Sequence, residues 1–144
     1  MRGVSGTGVF AILLLAGLAT GGAAQAQDGD AAAGEKVFNR CKACHMVGPD
    51  AKNRVGPILT GVVGRKAGTV EGFAYSEINK AAGTAGLTWT PEAIAAYLPD
   101  PQAFLESYLK EQGQTPSGRT KMAFRLAAEK DRKDVIAYLQ TFSQ

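Results

Sequence analysis

The sequence predicts a small all-α domain of four or five short helices. Several segments begin with residues that favour a helix N-terminus, and the last segment has apolar residues at helical spacing. No segment alternates convincingly between apolar and polar residues, as a half-exposed strand would. Residues 27–144 are enough for one domain and too few for two.

Residues 1–26 are interpreted as a cleaved export signal. Arg2 supplies a positive start, and the apolar run Val9–Ala19 has the length of a signal core but is too short to span a bilayer comfortably. Ala24-Gln25-Ala26 matches a small-residue cleavage site. The alternative is an uncleaved membrane anchor, which the short run disfavours. We therefore expect a mature domain over residues 27–144 in a bacterial periplasm.

The first predicted helix is Ala31–Arg40. Two preceding acidic residues, Asp28 and Asp30, suit the positive end of the helix dipole. Gly34 and Phe38 are four residues apart and share one face. Glycine within a helix costs about 1 kcal/mol relative to alanine, and close approach by another helix would offset that cost.

The middle of the chain contains a long loop followed by two predicted helices. Met46–Gly72 is rich in glycine, proline and basic residues, which indicates a loop. Tyr75–Ala82 could form a short helix that ends near Gly83. Thr90-Pro91-Glu92 is a strong helix start, with an N-cap residue, a proline at the first position and then an acid. That helix should run to Leu98 and stop at Pro99.

Two further helices are predicted in the C-terminal part. One restarts at Asp100-Pro101 and continues to about Lys110, followed by an exposed loop over Gln112–Thr120. The final helix, Glu129–Phe142, has apolar residues at helical spacing, namely Val135, Ile136 and Leu139. Helices this short are marginal alone, so the domain needs something to pack around.

The pentapeptide Cys41-Lys42-Ala43-Cys44-His45 is the most informative motif in the chain. Two thiols three positions apart can each add across a vinyl group of one haem, and the adjacent histidine can then coordinate the iron. A C-x-x-C pair also occurs in thioredoxin-like redox sites, zinc sites and disulfides. However, the chain has only two cysteines and one histidine, and no strand-rich run precedes Cys41. The motif therefore predicts one covalently bound haem c attached through Cys41 and Cys44. A flat, mostly apolar haem would complete the core, and we expect the apoprotein to be poorly folded.

His45 is predicted to be one axial ligand of the iron, and Met122 the other. No second histidine exists, Met1 leaves with the signal, and Met46 adjoins His45 and cannot reach the opposite face. The alternative is that Met122 only fills a gap in the core. The iron would then be five-coordinate and open to small ligands. A thioether ligand favours ferrous iron and raises the reduction potential. With both axial positions filled there is no site for a substrate, which indicates electron transfer.

The charge balance is mildly basic, with a formal net charge of +3 that includes Arg2. This is far from the dense basic stripe of a nucleic-acid-binding protein. Several basic residues could ring an exposed haem edge and steer the protein onto acidic docking patches. They are Lys42, Lys52, Arg54, Lys66, Lys121 and Arg125. An ordinary solvated surface is the alternative.

Further motifs extend over essentially all of the mature chain. They are V-G-P-I-L at 55–59, G-V-V-G-R-K-A-G at 61–68, F-A-Y-S at 73–76, L-T-W-T at 87–90, Y-L-P-D-P at 97–101, T-K-M-A-F at 120–124 and D-V-I-A-Y-L at 134–139. With the haem motif, they resemble a class I cytochrome c of the bacterial cytochrome c2 and mitochondrial-type branch. One departure is Tyr108–Gly118, which looks like an insertion relative to the mitochondrial pattern.

The resemblance implies a cytochrome c fold wrapped around one covalent haem, with further residues near it. By this resemblance, the Pro57 carbonyl accepts the Nδ1–H of His45. It implies that three residues contact or neutralise the haem propionates, namely Arg65, Tyr75 and Trp89. It also implies a small polar network near Met122, formed by Asn79, Tyr97 and Thr120. Gly34 and Phe38 should pack against the last helix near Tyr138.

The function that the resemblance implies is a soluble periplasmic one-electron carrier rather than an enzyme. It would take electrons from a cytochrome bc complex and deliver them to a photosynthetic reaction centre or a terminal cytochrome c oxidase. Docking would be transient, and the protein would be a monomer. One alternative is a dedicated electron acceptor of a periplasmic dehydrogenase. The other, a haem peroxidase or gas-binding protein, requires a vacant axial position.

Overall fold

Five α-helices joined by long loops make up residues 29–143, the part of the chain that the computed structural model describes. The helices are α1 (Ala31–Phe38), α2 (Glu77–Thr84), α3 (Pro91–Tyr97), α4 (Pro101–Glu111) and α5 (Glu129–Gln140). An isolated bridge joins Lys66 to Thr88, and these residues form no strand. The all-α prediction is confirmed, while the predicted export signal lies outside the described residues. Among them, no helix has the length and apolar character needed to cross a membrane.

Side-chain caps explain why three of the helices begin where they do. The Asp30 carboxylate accepts the backbone N–H groups of Ala32 and Ala33 at 2.8 and 3.1 Å. Thr90 caps α3 and Asp100 caps α4, in each case by accepting a backbone N–H at 3.1 Å. A cap of this kind contributes about 1 kcal/mol. The starts of α3 and α4 are therefore where the sequence predicts them.

Three predicted helices have boundaries that differ from the structure by two residues. Helix α1 ends at Phe38 rather than Arg40, because the chain there enters the turns that carry the cysteines. Helix α2 is shifted to 77–84, since Tyr75 is held in a turn by its N–H bond to the carbonyl of Phe73 at 3.1 Å. Helix α5 ends at Gln140.

The α1–α5 crossing is the most extensive helix contact in the described residues. At Gly34 a Cβ atom would lie 2.0 Å from the carbonyl oxygen of Asp134, so only glycine permits this approach. One turn further on, the rings of Phe38 and Tyr138 pack with centroids 5.4 Å apart. The expected packing of Gly34 and Phe38 against the last helix is confirmed.

A buried carboxylate secures the same crossing. Asp134 is only 3% exposed. Its carboxylate accepts the Asp30 backbone N–H at 2.9 Å and the Lys130 ammonium at 2.6 Å. A buried carboxylate needs such donors to offset its lost hydration. Because Asp30 also caps α1, Asp134 ties the start of the first helix to the last one.

The core surrounds an open pocket. Its buried apolar residues come from α1, α2, α3, α4 and α5 as well as from the loops. The long loop between α1 and α2 lines one part of the pocket, and the segment before α5 lines another. This arrangement brings distant parts of the sequence together at one site.

Candidate functional site

The pocket walls are mostly apolar, with a few polar groups at defined positions. The apolar part includes side chains from helices and loops, such as Phe38, Leu59, Ile94, Leu98, Leu126 and Leu139. Cavities of this kind, apolar with a few convergent polar groups, are typical of ligand and cofactor sites. The walls also include every residue that the motif or the family resemblance placed beside the haem.

Successive turns place Cys41, Cys44 and His45 on one wall. The Cys41 N–H bonds to the carbonyl of Phe38 at 2.8 Å, and the N–H groups of Cys44 and His45 both bond to the Cys41 carbonyl, at 3.0 and 2.9 Å. The two thiols are free rather than joined in a disulfide. Burial raises the pKa of the Cys41 thiol. Both thiols are therefore available to one ligand in the pocket.

The His45 ring is fixed with one nitrogen free. Nδ1 lies 2.7 Å from the carbonyl oxygen of Pro57. A carbonyl can only accept, so Nδ1 carries the hydrogen and Nε2 keeps its lone pair. Burial lowers the His45 pKa, and the bond to Pro57 opposes that shift. Neutral imidazole with a free Nε2 is the form that binds a metal.

Gly56 packs directly on the same ring. A Cβ atom at this position would lie 2.3 Å from Cε1 of His45. The Gly56 N–H bonds to the Cys44 carbonyl at 2.9 Å. The ring is thus held between the Gly56 backbone and the Pro57 carbonyl.

Met122 reaches the same pocket from a different segment, the stretch between α4 and α5. Its backbone N–H donates to Oγ1 of Thr120 at 3.3 Å. Met46 is not among the residues that line the pocket, and its carbonyl accepts the Leu59 N–H at 2.9 Å. A thioether and an imidazole with a free nitrogen therefore face one cavity.

A small polar network lies beside Met122. Thr120 Oγ1 donates to Asn79 Oδ1 at 3.1 Å, and Ser76 Oγ donates to the same oxygen at 2.7 Å. Burial raises the pKa of the Tyr97 phenol, and its hydrogen bonds with Thr120 and Asn79 oppose the shift. The structure thus brings Asn79, Tyr97 and Thr120 together. It adds Ser76, whose only sequence signal was its place in the F-A-Y-S motif.

Arg65, Tyr75 and Trp89 also line the pocket. The Arg65 guanidinium donates to the carbonyls of Thr60 and Ile58 at 3.0 and 2.8 Å. Burial lowers the pKa of Arg65, and the nearby Tyr75 opposes that shift. Trp89 packs edge-on against Tyr97, with centroids 4.8 Å apart. A guanidinium has five donors, so Arg65 retains N–H groups for a carboxylate in the pocket.

The pocket mouth combines basic and apolar side chains. Lys121 and Arg40 line it, as does Val55, which is 73% exposed. Of the other predicted basic residues, Arg54 donates to the Lys42 carbonyl at 3.2 Å, while Arg125 pairs with Asp100 at 2.9 Å. Of the six predicted basic residues, Lys121 is the one that lines the pocket. All six are exposed.

Sequence reasoning missed Arg40 at this mouth. Its guanidinium pairs with Asp131 of α5 at 3.2 Å and lies over the Phe124 ring, 5.4 Å from the centroid. Its position next to Cys41 was the available signal. Phe124 lines the pocket two residues after Met122.

The chemistry of these groups fits a haem. The apolar walls suit an apolar macrocycle, and the two thiols suit its vinyl groups. The imidazole and the thioether suit its iron, and the half-buried guanidinium of Arg65 suits its carboxylates. In residues 29–143, no cluster of three or more His, Cys, Asp or Glu side chains could hold a bare metal ion instead.

Comparison with known proteins agrees with this fit. The family model for cytochrome c matches residues 31–143. The chain is similar to cytochrome c2 iso-1 of Rhodospirillum centenum, with 60% identity over 119 residues that cover 81% of this chain and 99% of the relative. It is 56% identical over 114 residues to a cytochrome c2 of Rhodopseudomonas palustris, covering 78% of this chain and 97% of the relative. A solved structure of cytochrome c2 from Rhodospirillum centenum superposes with a TM-score of 0.80 and 62% identity, covering 81% of this chain and 100% of that structure.

Proposed function

The chain belongs to the cytochrome c family, and we propose on that basis that it is a periplasmic one-electron shuttle whose haem iron lies between His45 and Met122. It is an electron-transfer protein of the cytochrome c2 type, not an enzyme, and it carries one covalently bound haem c. One observation carries the proposal. A single apolar pocket brings together two free thiols, an imidazole with a free Nε2 and a thioether.

Each of these residues has a distinct task in the proposed mechanism. Cys41 and Cys44 would hold the haem covalently, so that it cannot leave when its charge changes. The Pro57 carbonyl fixes the His45 ring and increases its donor strength. The Met122 thioether would hold the iron, where a thioether ligand favours the ferrous state and raises the reduction potential. When bound, the haem supplies the iron that accepts and returns one electron.

The surrounding side chains would keep the reaction limited to electron transfer. If His45 and Met122 both held the iron, they would leave no position on it for a substrate. The mostly apolar walls would keep water away from the haem. Arg65 would neutralise a buried propionate, since its guanidinium is half-buried with donors to spare.

We assign the mouth of the pocket as the docking face. Its lining includes two basic side chains, Lys121 and Arg40, and an exposed apolar side chain, Val55. Positive charge steers the approach of an acidic partner, and an apolar centre gives a short-lived contact. Proposed partners are a cytochrome bc complex as donor and a photosynthetic reaction centre or cytochrome c oxidase as acceptor. The similarity to bacterial cytochromes c2 supports these partners and the periplasmic location.

Electron-transfer kinetics with purified acceptor complexes test the proposed shuttle. The second-order rate should fall as salt rises, since exposed charges are screened beyond about 10 Å at 0.1 M. Charge reversal by Lys121→Glu or Lys42→Glu should slow the reaction more than Lys110→Glu, an exposed control in the last turn of α4. Lys130 is unsuitable as a control because it binds the buried Asp134.

The rate within the preformed complex should change little in all three variants. Equal effects of the three reversals would show that Lys121 and Lys42 do not steer docking. No electron transfer to any such acceptor would contradict the shuttle itself.

A further inference from the structure

The Gln102 side chain joins the beginning of α4 to the far end of the loop that follows this helix. Its Oε1 accepts the Thr120 backbone N–H at 2.8 Å. Its Nε2 donates to the Gly118 carbonyl at 3.3 Å and to Glu106 Oε1 at 2.7 Å. One amide therefore bridges sequence separations of 16 and 18 residues.

The partners themselves fix which way the amide points. Thr120 N–H can only donate, so the oxygen of Gln102 must face it. The Gly118 carbonyl can only accept, and the Glu106 carboxylate accepts when ionised, so the NH2 group must face these two. Reversing the amide would place like groups against each other at every contact.

Thr120 connects the Gln102 clamp, meaning the hydrogen bonds of the Gln102 amide to Thr120, Gly118 and Glu106, to Met122. Its Oγ1 accepts the Met122 backbone N–H at 3.3 Å and donates to Asn79 Oδ1 at 3.1 Å. The backbone and the side chain of Thr120 are therefore both held, the first by Gln102 and the second by Asn79 of α2. Met122 is two residues further along and takes its direction from this anchored residue.

The loop between α4 and Thr120 is otherwise poorly covered. Nearly all of residues 112–119 are exposed. The first loop residues bond back to the end of α4, through Gly113 N–H to Lys110 and Gln114 N–H to Leu109, both at 2.9 Å. Gln102 holds the other end, so the loop, which includes most of the insertion-like stretch Tyr108–Gly118, is attached to α4 at both of its ends.

We propose that Gln102 is a positioning residue that keeps the Met122 segment closed over the haem. The proposal rests on the proposed function, in which Met122 binds the iron. It also gives a consequence of the insertion-like stretch Tyr108–Gly118. A chain that is longer here than the mitochondrial pattern would allow the Met122 segment to move away from the pocket, and the hydrogen bonds of the Gln102 amide oppose that movement.

The test compares Gln102→Leu with Ser107→Ala in the ferric holoprotein. The leucine keeps the approximate size and removes both donor and acceptor. Ser107 is an exposed residue of the same helix whose Oγ donates within α4, to Glu111 at 3.2 Å, so its loss does not reach the loop. The first readout is the rate at which added imidazole binds, because imidazole can bind only after Met122 leaves. The second is hydrogen exchange of the Thr120 amide, which loses its acceptor directly.

In Gln102→Leu we expect both readouts to rise roughly 5- to 30-fold, the factor that corresponds to losing one or two net hydrogen bonds. Ser107→Ala should leave both within about twofold of wild type, as is usual for surface substitutions. Glu106→Gln retains an acceptor for the Gln102 amide and should also stay close to wild type. Exchange at the buried Ile136 of α5 should not change in any variant.

Three outcomes would overturn the clamp. The first is an unchanged exchange rate of the Thr120 amide in Gln102→Leu, and the second is equal acceleration of amide exchange at Thr120 and Ile136 in that variant. The third is an unchanged rate of imidazole binding in Gln102→Leu, provided that Met122→Ala binds imidazole faster than wild type. The Met122→Ala variant separates the two proposals. If it binds imidazole no faster than wild type, Met122 is not a ligand and the proposed function fails. Exchange of the Thr120 amide would still report whether Gln102 holds the loop that follows α4.

Discussion

At the scale of single residues, the imidazole of His45 shows how the fold prepares a metal ligand. The Pro57 carbonyl determines which nitrogen carries the hydrogen, and the Gly56 backbone lies against the ring. No side chain longer than hydrogen fits at Gly56 without moving the ring. The geometry of one ligand therefore depends on two neighbours in the following loop.

Gly56→Ala should destabilise the holoprotein by about 1–3 kcal/mol, the usual range for overpacking a closed site. The new methyl group would push the ring away from Pro57 and expose the Nδ1 hydrogen. Denaturant unfolding measures the first effect, and faster solvent exchange of the Nδ1 hydrogen by NMR measures the second. The adjacent Val55→Ala, at an exposed position, should change stability by less than about 0.5 kcal/mol. Equal stability of the two variants would show that the ring is not confined by Gly56.

The residues that sequence predicted and those it missed differ in a physical way. Cys41, Cys44 and His45 are contiguous, so their chemistry can be read without knowing the fold. Arg40 and Gln102 bond to partners 91 and 18 residues distant in sequence. Ser76 bonds to nearby Asn79, whose oxygen also accepts from Thr120, 41 residues further along. Their residue types are ordinary at a surface, and only the folded arrangement gives them a role.

At the scale of helices, local signals predicted starts better than ends. Thr90, Asp100 and the prolines that follow them act within one turn, and α3 and α4 begin where they indicate. The ends of α1 and α5 depend on what the chain contacts next, since the Phe142 carbonyl accepts the N–H of distant Gly61 at 3.0 Å. The glycine in α1 indicated a close helix contact, but Asp134 as its partner could not be predicted from sequence.

Acid should loosen the α1–α5 crossing through Asp134. The Lys130 ammonium and the Asp30 backbone N–H hold the pKa of this carboxyl below its ordinary 3.8. A lowered pKa in the folded state means that the stabilisation is fully present above about pH 4 and is lost as the pH falls through the folded-state pKa. Lys130 is largely exposed. Salt should therefore weaken the stabilisation that comes from the Lys130–Asp134 ion pair more than the stabilisation from the Asp30 N–H bond to Asp134.

Urea unfolding of wild type and Asp134→Asn across this pH range measures the effect. The wild type should be the more stable protein at neutral pH, and its advantage should shrink below about pH 4. The exposed Asp50→Asn serves as a control and should track wild type. A stability difference between wild type and Asp134→Asn that stays constant from neutral to acid pH would rule out this contribution.

At the scale of the whole molecule, the helices and loops surround a pocket rather than a filled centre. Helices of 7 to 12 residues are marginal by themselves. The covalently bound haem c of this family would complete such a core. Stability, cofactor binding and redox function therefore depend on the same set of residues.

Trp89 reports on this arrangement because it is the only tryptophan and lines the pocket. Its fluorescence should be almost absent in the native holoprotein, since a haem close by absorbs the emission energy, and unfolding in denaturant should restore it. A Trp89→Phe variant provides the baseline. Bright emission from the native holoprotein would place the haem away from Trp89 and outside the pocket described.

The most direct test of the central claim, one haem with its iron between His45 and Met122, is an equilibrium redox titration of wild type and Met122→Ala. The variant should have a distinctly lower reduction potential, because it loses the thioether and the chain has no second histidine to replace it. Met46→Ala, which removes a thioether outside the pocket, should retain the wild-type potential. An unchanged potential in Met122→Ala, or an equal change in both variants, would contradict the account.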